Sequence, residues 1–146
     1  MMWVVLATEV VCRIYDYEPK THELNMVAAQ LHPQSRLKSS DLGSDEPGRY
    51  KSQGAPKSAF QPKETPKENE IEIFAREIAH SVDEGRRQNL YDKLVVVSAP
   101  KMQGRINGFL NPHVKELIIK EINKDYSHLT EKDLKEVLKT ELHTFL

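Results

Sequence analysis

Cysteine is nearly absent from this chain of 146 residues. A single thiol, Cys12, means that no disulfide can close within it. No Cys/His spacing matches a structural zinc site, so neither a disulfide scaffold nor a zinc finger can replace a hydrophobic core. Long apolar runs are missing as well. No stretch approaches the ~18 residues of a membrane span. The apolar run Met2–Ala7 is too short for a signal-peptide core and has no basic leader. A cytosolic location is therefore expected. Charge of one sign is not in excess either, with 21 Lys+Arg against 22 Asp+Glu and a net charge of −1. That balance argues against a globally basic nucleic-acid binder, and no DNA partner is expected, though a local basic patch remains open. The six histidines (His22, His32, His80, His113, His128 and His143) form no HxH or HxxxH pair. They read as surface or capping residues, and no metal or cofactor is expected.

What is present is an order of elements. Met2–Ala7, Arg13–Tyr17 and Leu24–Gln30 are short segments rich in β-branched or aromatic residues. Turn-forming or polar residues bound them, so they read as three strands in an antiparallel meander. Cys12, just ahead of the second strand, reads as a small buried apolar residue. Residues 31–65 differ, holding Pro33, Pro47, Pro56 and Pro62 with Gly43, Gly48 and Gly54. This composition predicts a long surface loop. Its charge is polarised: Asp41, Asp45 and Glu46 come first, then Arg49, Lys51, Lys57 and Lys63 with no acid between them.

After the loop the period changes. Thr65 as N-cap, Pro66 at the first helical position and Glu68 three residues past the cap predict a helix start with a capping box. Ile71, Phe74, Ala75, Ile78 and Val82 recur at helical spacing, and Gly85 marks an expected end or a weak point shortly before it. Leu90–Ser98 ends in the continuous apolar run of a strand covered on both faces. A short helix follows Pro100, a helical turn follows Asn111-Pro112, and Leu117–Ile122 reads as a strand. Thr130-Glu-Lys-Asp133 resembles a capping box for a last helix whose stripe is Leu134, Val137, Leu138 and Leu142, with Phe145 beyond. The pattern βββαβαβα predicts one α/β domain over 1–146, a mixed sheet with helices on its faces.

Several strings in order resemble a known family. They are Trp3-Val-Val-Leu-Ala7, Arg13-Ile-Tyr15, Pro47-Gly48-Arg49 and Phe74-Ala-Arg-Glu-Ile-Ala79. Leu94-Val-Val-Val-Ser-Ala-Pro100, Gly104 and Lys124-Asp125-Tyr-Ser-His-Leu-Thr130 follow. Together they resemble the bacterial host attachment protein family, itself similar to the central domain of archaeal and eukaryotic peptide-release factors. The resemblance implies a ribonuclease-H-like sheet of five strands in order 3-2-1-4-5, with strand 2 antiparallel to the others. It also implies a translational setting. There are departures. Thr8-Glu9 stands where family members often carry Asp-Gly. Lys51-Ser-Gln-Gly-Ala55 stands where a release factor carries Gly-Gly-Gln. Peptidyl-tRNA hydrolysis is therefore not expected, whereas contact with RNA is.

The basic half of the loop supplies the candidate site. Arg49, Lys51, Lys57 and Lys63 suit phosphates, Gly54 permits close backbone approach, and Gln53 offers amide hydrogen bonds. Tyr50 and Phe60 interleave with the cations and suit stacking on unpaired bases. The bland reading is a solvated loop with incidental lysines. A metal-dependent nuclease needs converging carboxylates. Glu9, Asp16, Asp92 and Asp125 are available but form no recognised set. Ser98-Ala-Pro100 is not a nucleophile elbow. Asp125 is placed either to accept from His128 or to cap the turn before Thr130. The expected function is a non-catalytic cytosolic factor touching ribosomal or transfer RNA, linked to host attachment. The alternative is a protein-interaction factor in attachment with no nucleic-acid role.

Overall fold

The computed structural model describes residues 1–32 and 65–143. Three strands open the chain: β1 (Met2–Ala7), β2 (Val11–Glu18) and β3 (Glu23–Leu31). Then come α1 (Pro66–Arg87), β4 (Lys93–Ser98), α2 (Pro100–Asn107), α3 (Pro112–Lys115), β5 (Ile118–Ile122) and α4 (Glu131–Leu142). The strands form one sheet in the order β3-β2-β1-β4-β5. β1 is antiparallel to β2 and parallel to β4. The outer pairs are β2 with β3, antiparallel, and β4 with β5, parallel. β2 thus runs against its four companions, as the resemblance implied. No described helix is long and apolar enough to cross a membrane.

The side-chain period of two splits β1 between two cores. Trp3, Val5 and Ala7 face one layer, where α1 supplies Ile71, Phe74, Ile78 and Val82, and α2 supplies Met102 and Ile106. Met2, Val4 and Leu6 face the other layer, covered by Leu134, Leu138 and Leu142 of α4. β4 does the same, with Leu94 and Val96 on one side and Val95 and Val97 on the other. Burying each such aliphatic side chain contributes roughly 1.5–3 kcal/mol. The continuous apolar run read in β4 is the signature of this double coverage.

The helix starts follow their caps. The Thr65 hydroxyl accepts from the Glu68 N–H at 3.0 Å, and the Glu68 carboxylate accepts from the Thr65 N–H at 3.0 Å. Thr130 caps α4 on one side only, accepting from the Asp133 N–H at 3.1 Å. Asp133 returns no bond to the Thr130 N–H, so the expected box is a single cap.

Several bounds differ from expectation, and those of β2 and β4 bear on the packing. β2 begins at Val11, which puts Cys12 inside the strand, paired with Ala7 and wholly buried. β4 begins at Lys93 rather than Leu90, because the chain turns over Gln88–Asp92. Asn89 takes φ 59 there, a left-handed conformation asparagine tolerates. Leu90 is left 43% exposed, while the Tyr91 hydroxyl donates to the Val82 carbonyl at 2.7 Å. Gly85 does not end α1 but lies within it. The Trp3 ring stacks on Tyr91 at 4.8 Å, and a Cβ on Gly85 would meet Trp3 Cη2 at 2.4 Å. Glycine is needed there for close approach, not for helix termination.

Gly85→Ala therefore sets two effects against each other. Alanine gains about 1 kcal/mol of helix propensity, but overpacking against a fixed indole costs about 1–3 kcal/mol. The expected outcome is a net loss of stability in thermal denaturation, and a higher Tm would contradict the packing account. Burial pushes the Cys12 thiol up to about 12. In the native protein it should resist a thiol-specific chromogenic reagent at mildly alkaline pH and react fully once denatured. Rapid labelling of folded protein would show that β2 opens.

Candidate functional site

Parallel neighbours whose connections depart in opposite directions leave a crevice beyond their carboxyl ends. β1 and β4 are such a pair: the chain leaves β1 for β2 on one side and leaves β4 toward β5 on the other. A cleft of about 390 Å³ lies there, lined by Thr8, Glu9, Lys101, Met102, Asp125 and Ser127 among others. Short-range bonds shape each wall. The Thr8 hydroxyl accepts from the N–H groups of Val10 and Val11, both at 3.1 Å, and so fixes the β1–β2 turn.

The opposite wall is the segment before α4. Asp125 Oδ1 accepts from the Ser127 hydroxyl at 2.7 Å and from the Ser127 N–H at 3.0 Å. The hydroxyl bond first, then the backbone bond, holds its carboxyl below the usual carboxylate range. Arg13 reaches across from β2 and donates to the Ser127 carbonyl at 3.1 Å. Of the two roles open to Asp125, the structure favours the turn.

The floor meets the start of α2. Its N-cap, Ala99, has no side-chain bond, and the first turn carries no acid. The N–H groups of Lys101 and Met102 are among the orphan donors of a helix start. Glu9 and Asp125 together offset Lys101, so the cleft itself holds no excess of positive charge. Ser98 is wholly buried at the end of β4, its hydroxyl without a partner. That burial removes it as an exposed nucleophile.

The carboxylates considered for a nuclease are divided. Glu9 and Asp125 line the carboxyl-edge cleft, while Asp16 lines a pocket at the opposite edge. Asp92 sits just before β4, bonded to the Met1 amine at 3.1 Å. The sheet keeps the two sets apart.

The candidate RNA-contacting residues Arg49, Tyr50, Lys51, Gln53, Gly54, Lys57 and Lys63 lie outside the described residues, as does most of the loop expected over 31–65. Both flanks of that stretch are described. Leu31 belongs to β3, and the next residue, His32, is 6% exposed. The His32 N–H donates to the Val10 carbonyl at 3.0 Å. Its ring stacks on Phe74 at 4.9 Å with 6° between planes, and Nε2 lies 3.6 Å from Glu70 Oε1. Thr65 caps α1 one turn before Glu70. His32 thus sits beside Val10, a residue of the cleft wall. Sequence reading took His32 for a surface or capping residue, which its burial corrects, and it gave Thr8, Lys101 and Ser127 no functional role.

Comparison with known proteins adds a family. No curated protein matches the sequence. A solved structure described as "Archaeal protein" is similar over 99% of this chain and 38% of its own, at 8% identity and a TM-score of 0.43. The chain therefore spans well under half of that protein, and so distant a likeness carries no argument. The family described as "Protein required for attachment to host cells" matches residues 3–138. With nearly its whole length matched, the chain belongs to that family.

Proposed function

We propose that this protein serves attachment to host cells as a non-catalytic cytosolic factor that contacts ribosomal or transfer RNA through the stretch from Arg49 to Lys63. The observation that carries this reading is the charge pattern of that stretch: Arg49, Lys51, Lys57 and Lys63 with no acid among them. Cations so grouped neutralise phosphates, and Tyr50 and Phe60 between them suit stacking on unpaired bases. The anchorage of both flanks adds support. His32 and Thr65, the described residues on either side of it, are each fixed by contacts of their own, His32 by stacking on Phe74 and Thr65 by the Glu68 N–H. The resemblance to release factors supplies the translational setting. The sequence Lys51-Ser-Gln-Gly-Ala55 in place of Gly-Gly-Gln favours contact without hydrolysis.

One observation favours a second reading, a protein partner and no nucleic-acid role. β3 is an edge strand, and Met26, Val27 and Leu31 on it are 46%, 45% and 59% exposed. Apolar groups on a sheet edge suit strand addition by another protein.

Salt separates the two. Co-sedimentation with ribosomes from lysate, at low and high salt, would compare wild type with an Arg49/Lys51/Lys57→Ala variant of unchanged circular dichroism. The RNA reading expects binding that weakens as salt rises, with a log–log slope that falls by about 0.7–0.9 for each phosphate contact removed. Binding lost in the variant supports the proposal. No co-sedimentation at any salt overturns it, as does binding unchanged in the variant.

A further inference from the structure

We propose that Asn107-Gly108, at the end of α2, is a site of covalent self-modification, where the asparagine deamidates through a cyclic imide at a rate set by opening of the helix end. The site is independent of the RNA reading. Six asparagines stand in the chain, and in five of them the next residue is Met26, Glu70, Leu90, Pro112 or Lys124. Asn107 alone is followed by glycine. A side chain on the following residue hinders ring closure, and proline removes the amide hydrogen; glycine does neither.

The reaction balances with water as its co-reactant. The Gly108 amide nitrogen gives its proton to solvent base and attacks Cγ of Asn107. The new N–Cγ bond closes a succinimide, and the side-chain nitrogen leaves as ammonia. Water then opens the ring at either carbonyl, which gives aspartate or isoaspartate.

The closed fold restrains both reacting groups. The Gly108 N–H donates to the Gly104 carbonyl at 3.1 Å. Asn107 Oδ1 accepts from Gln103 Nε2 at 3.2 Å, which holds the amide against the preceding turn. Attack requires the Gly108 bond to break, so reaction belongs to a locally opened state. Opening is favoured by how α2 is built. It has eight residues, an N-cap without a side-chain bond, and Gly104 in its interior. A Cβ on Gly104 would meet nothing within 4 Å, so packing does not demand glycine there. Asn107 is half-buried and lines an open groove with Lys115 and Lys120, which gives water access.

The product alters the fold. Isoaspartate routes the main chain through Cβ and adds one carbon between Ile106 and Leu110, both buried against α1. A densely packed layer transmits such a change as strain. The new carboxylate also stands at the C-terminal end of α2, where the helix dipole disfavours negative charge.

The test incubates the full chain for several weeks at body temperature and mildly alkaline pH. Peptide mapping by mass spectrometry, with enzymatic detection of isoaspartate, follows folded and urea-unfolded samples of wild type, Gly108→Ala and Gly104→Ala. Both alanines fit, since a Cβ on Gly108 meets the Arg105 carbonyl at 3.4 Å, an ordinary contact. Deamidation is expected first at Asn107, and faster in the unfolded sample. Gly108→Ala should slow it about tenfold or more in both samples, because the added methyl shields the nitrogen. Gly104→Ala should slow it about fivefold in the folded sample alone, because alanine favours the closed helix. The isoaspartate fraction should melt about 3–5 °C lower. Intact Asn107 in folded wild type overturns the proposal, as does earlier deamidation elsewhere, Gln53-Gly54 included. An unchanged rate in G108A, or in folded G104A, overturns it too.

Discussion

The fold depends on one constraint, the burial of β1 on both faces. All six of its residues are buried, and both of its edges are spent on partners, β2 on one side and β4 on the other. A strand in that position leaves no surface for water, so the sheet needs a layer on each side. α1 and α2 supply one, and α4 supplies the other. Trp3 shows how tight the fit is. Its indole fills the space between Tyr91 and Gly85, so the start of the first strand sets which residue the long helix can carry near its end. A further consequence concerns chemistry. With both faces given to apolar contact, the carboxyl-edge cleft draws its polar lining from the segments that follow β1, β4 and β5.

Legibility in the sequence followed the range of the forces involved. The bounds of β1 and the start of α1 were readable because they rest on neighbours in sequence: an unbroken apolar run, and a cap, a proline and a glutamate within four positions. The order of the sheet came from resemblance rather than from pattern, since no local signal states which strand sits beside which. Leu90 was misread as strand because apolar residues before an apolar run look continuous with it. The turn that separates them is set by Asn89 and by the distant tether from Tyr91 to Val82. Gly85 was placed near the helix end, where it lies, but its packing role was not readable. Glycine near a helix end signals termination locally, whereas here its role is defined by Trp3, far away in the chain.

The cleft was less legible still. Thr8, Lys101, Asp125 and Ser127 come from three separate segments and form no motif in one dimension. Only the Asp125-Tyr-Ser127 turn carried a readable hint, since aspartate and serine two residues apart commonly close a turn. His32 gave none. Its position between a strand and a proline reads as the start of a loop, yet burial and stacking on Phe74 make it the last fixed point of β3. The bonds of Thr8 and of Asp125 with Ser127 are local, but what brings these segments to one cleft is the closed sheet, which no local signal states.

Orphaned polar atoms help to decide where such a fold would recognise something, but they do not count equally. Ser98 and Gln103 each keep a buried oxygen without a partner beside α2. Both groups are neutral, and leaving a hydroxyl or amide oxygen unpaired is a modest penalty that dense packing nearby can offset. Gln103 also keeps its other end engaged, donating to Asn107 Oδ1 at 3.2 Å. Asp16 also keeps a buried Oδ1 without a partner, but its side chain as a whole is only partly buried, so the carboxylate is not withdrawn from water. An orphaned atom closed to solvent reports local packing, and it points to a ligand only where the atom itself faces open space.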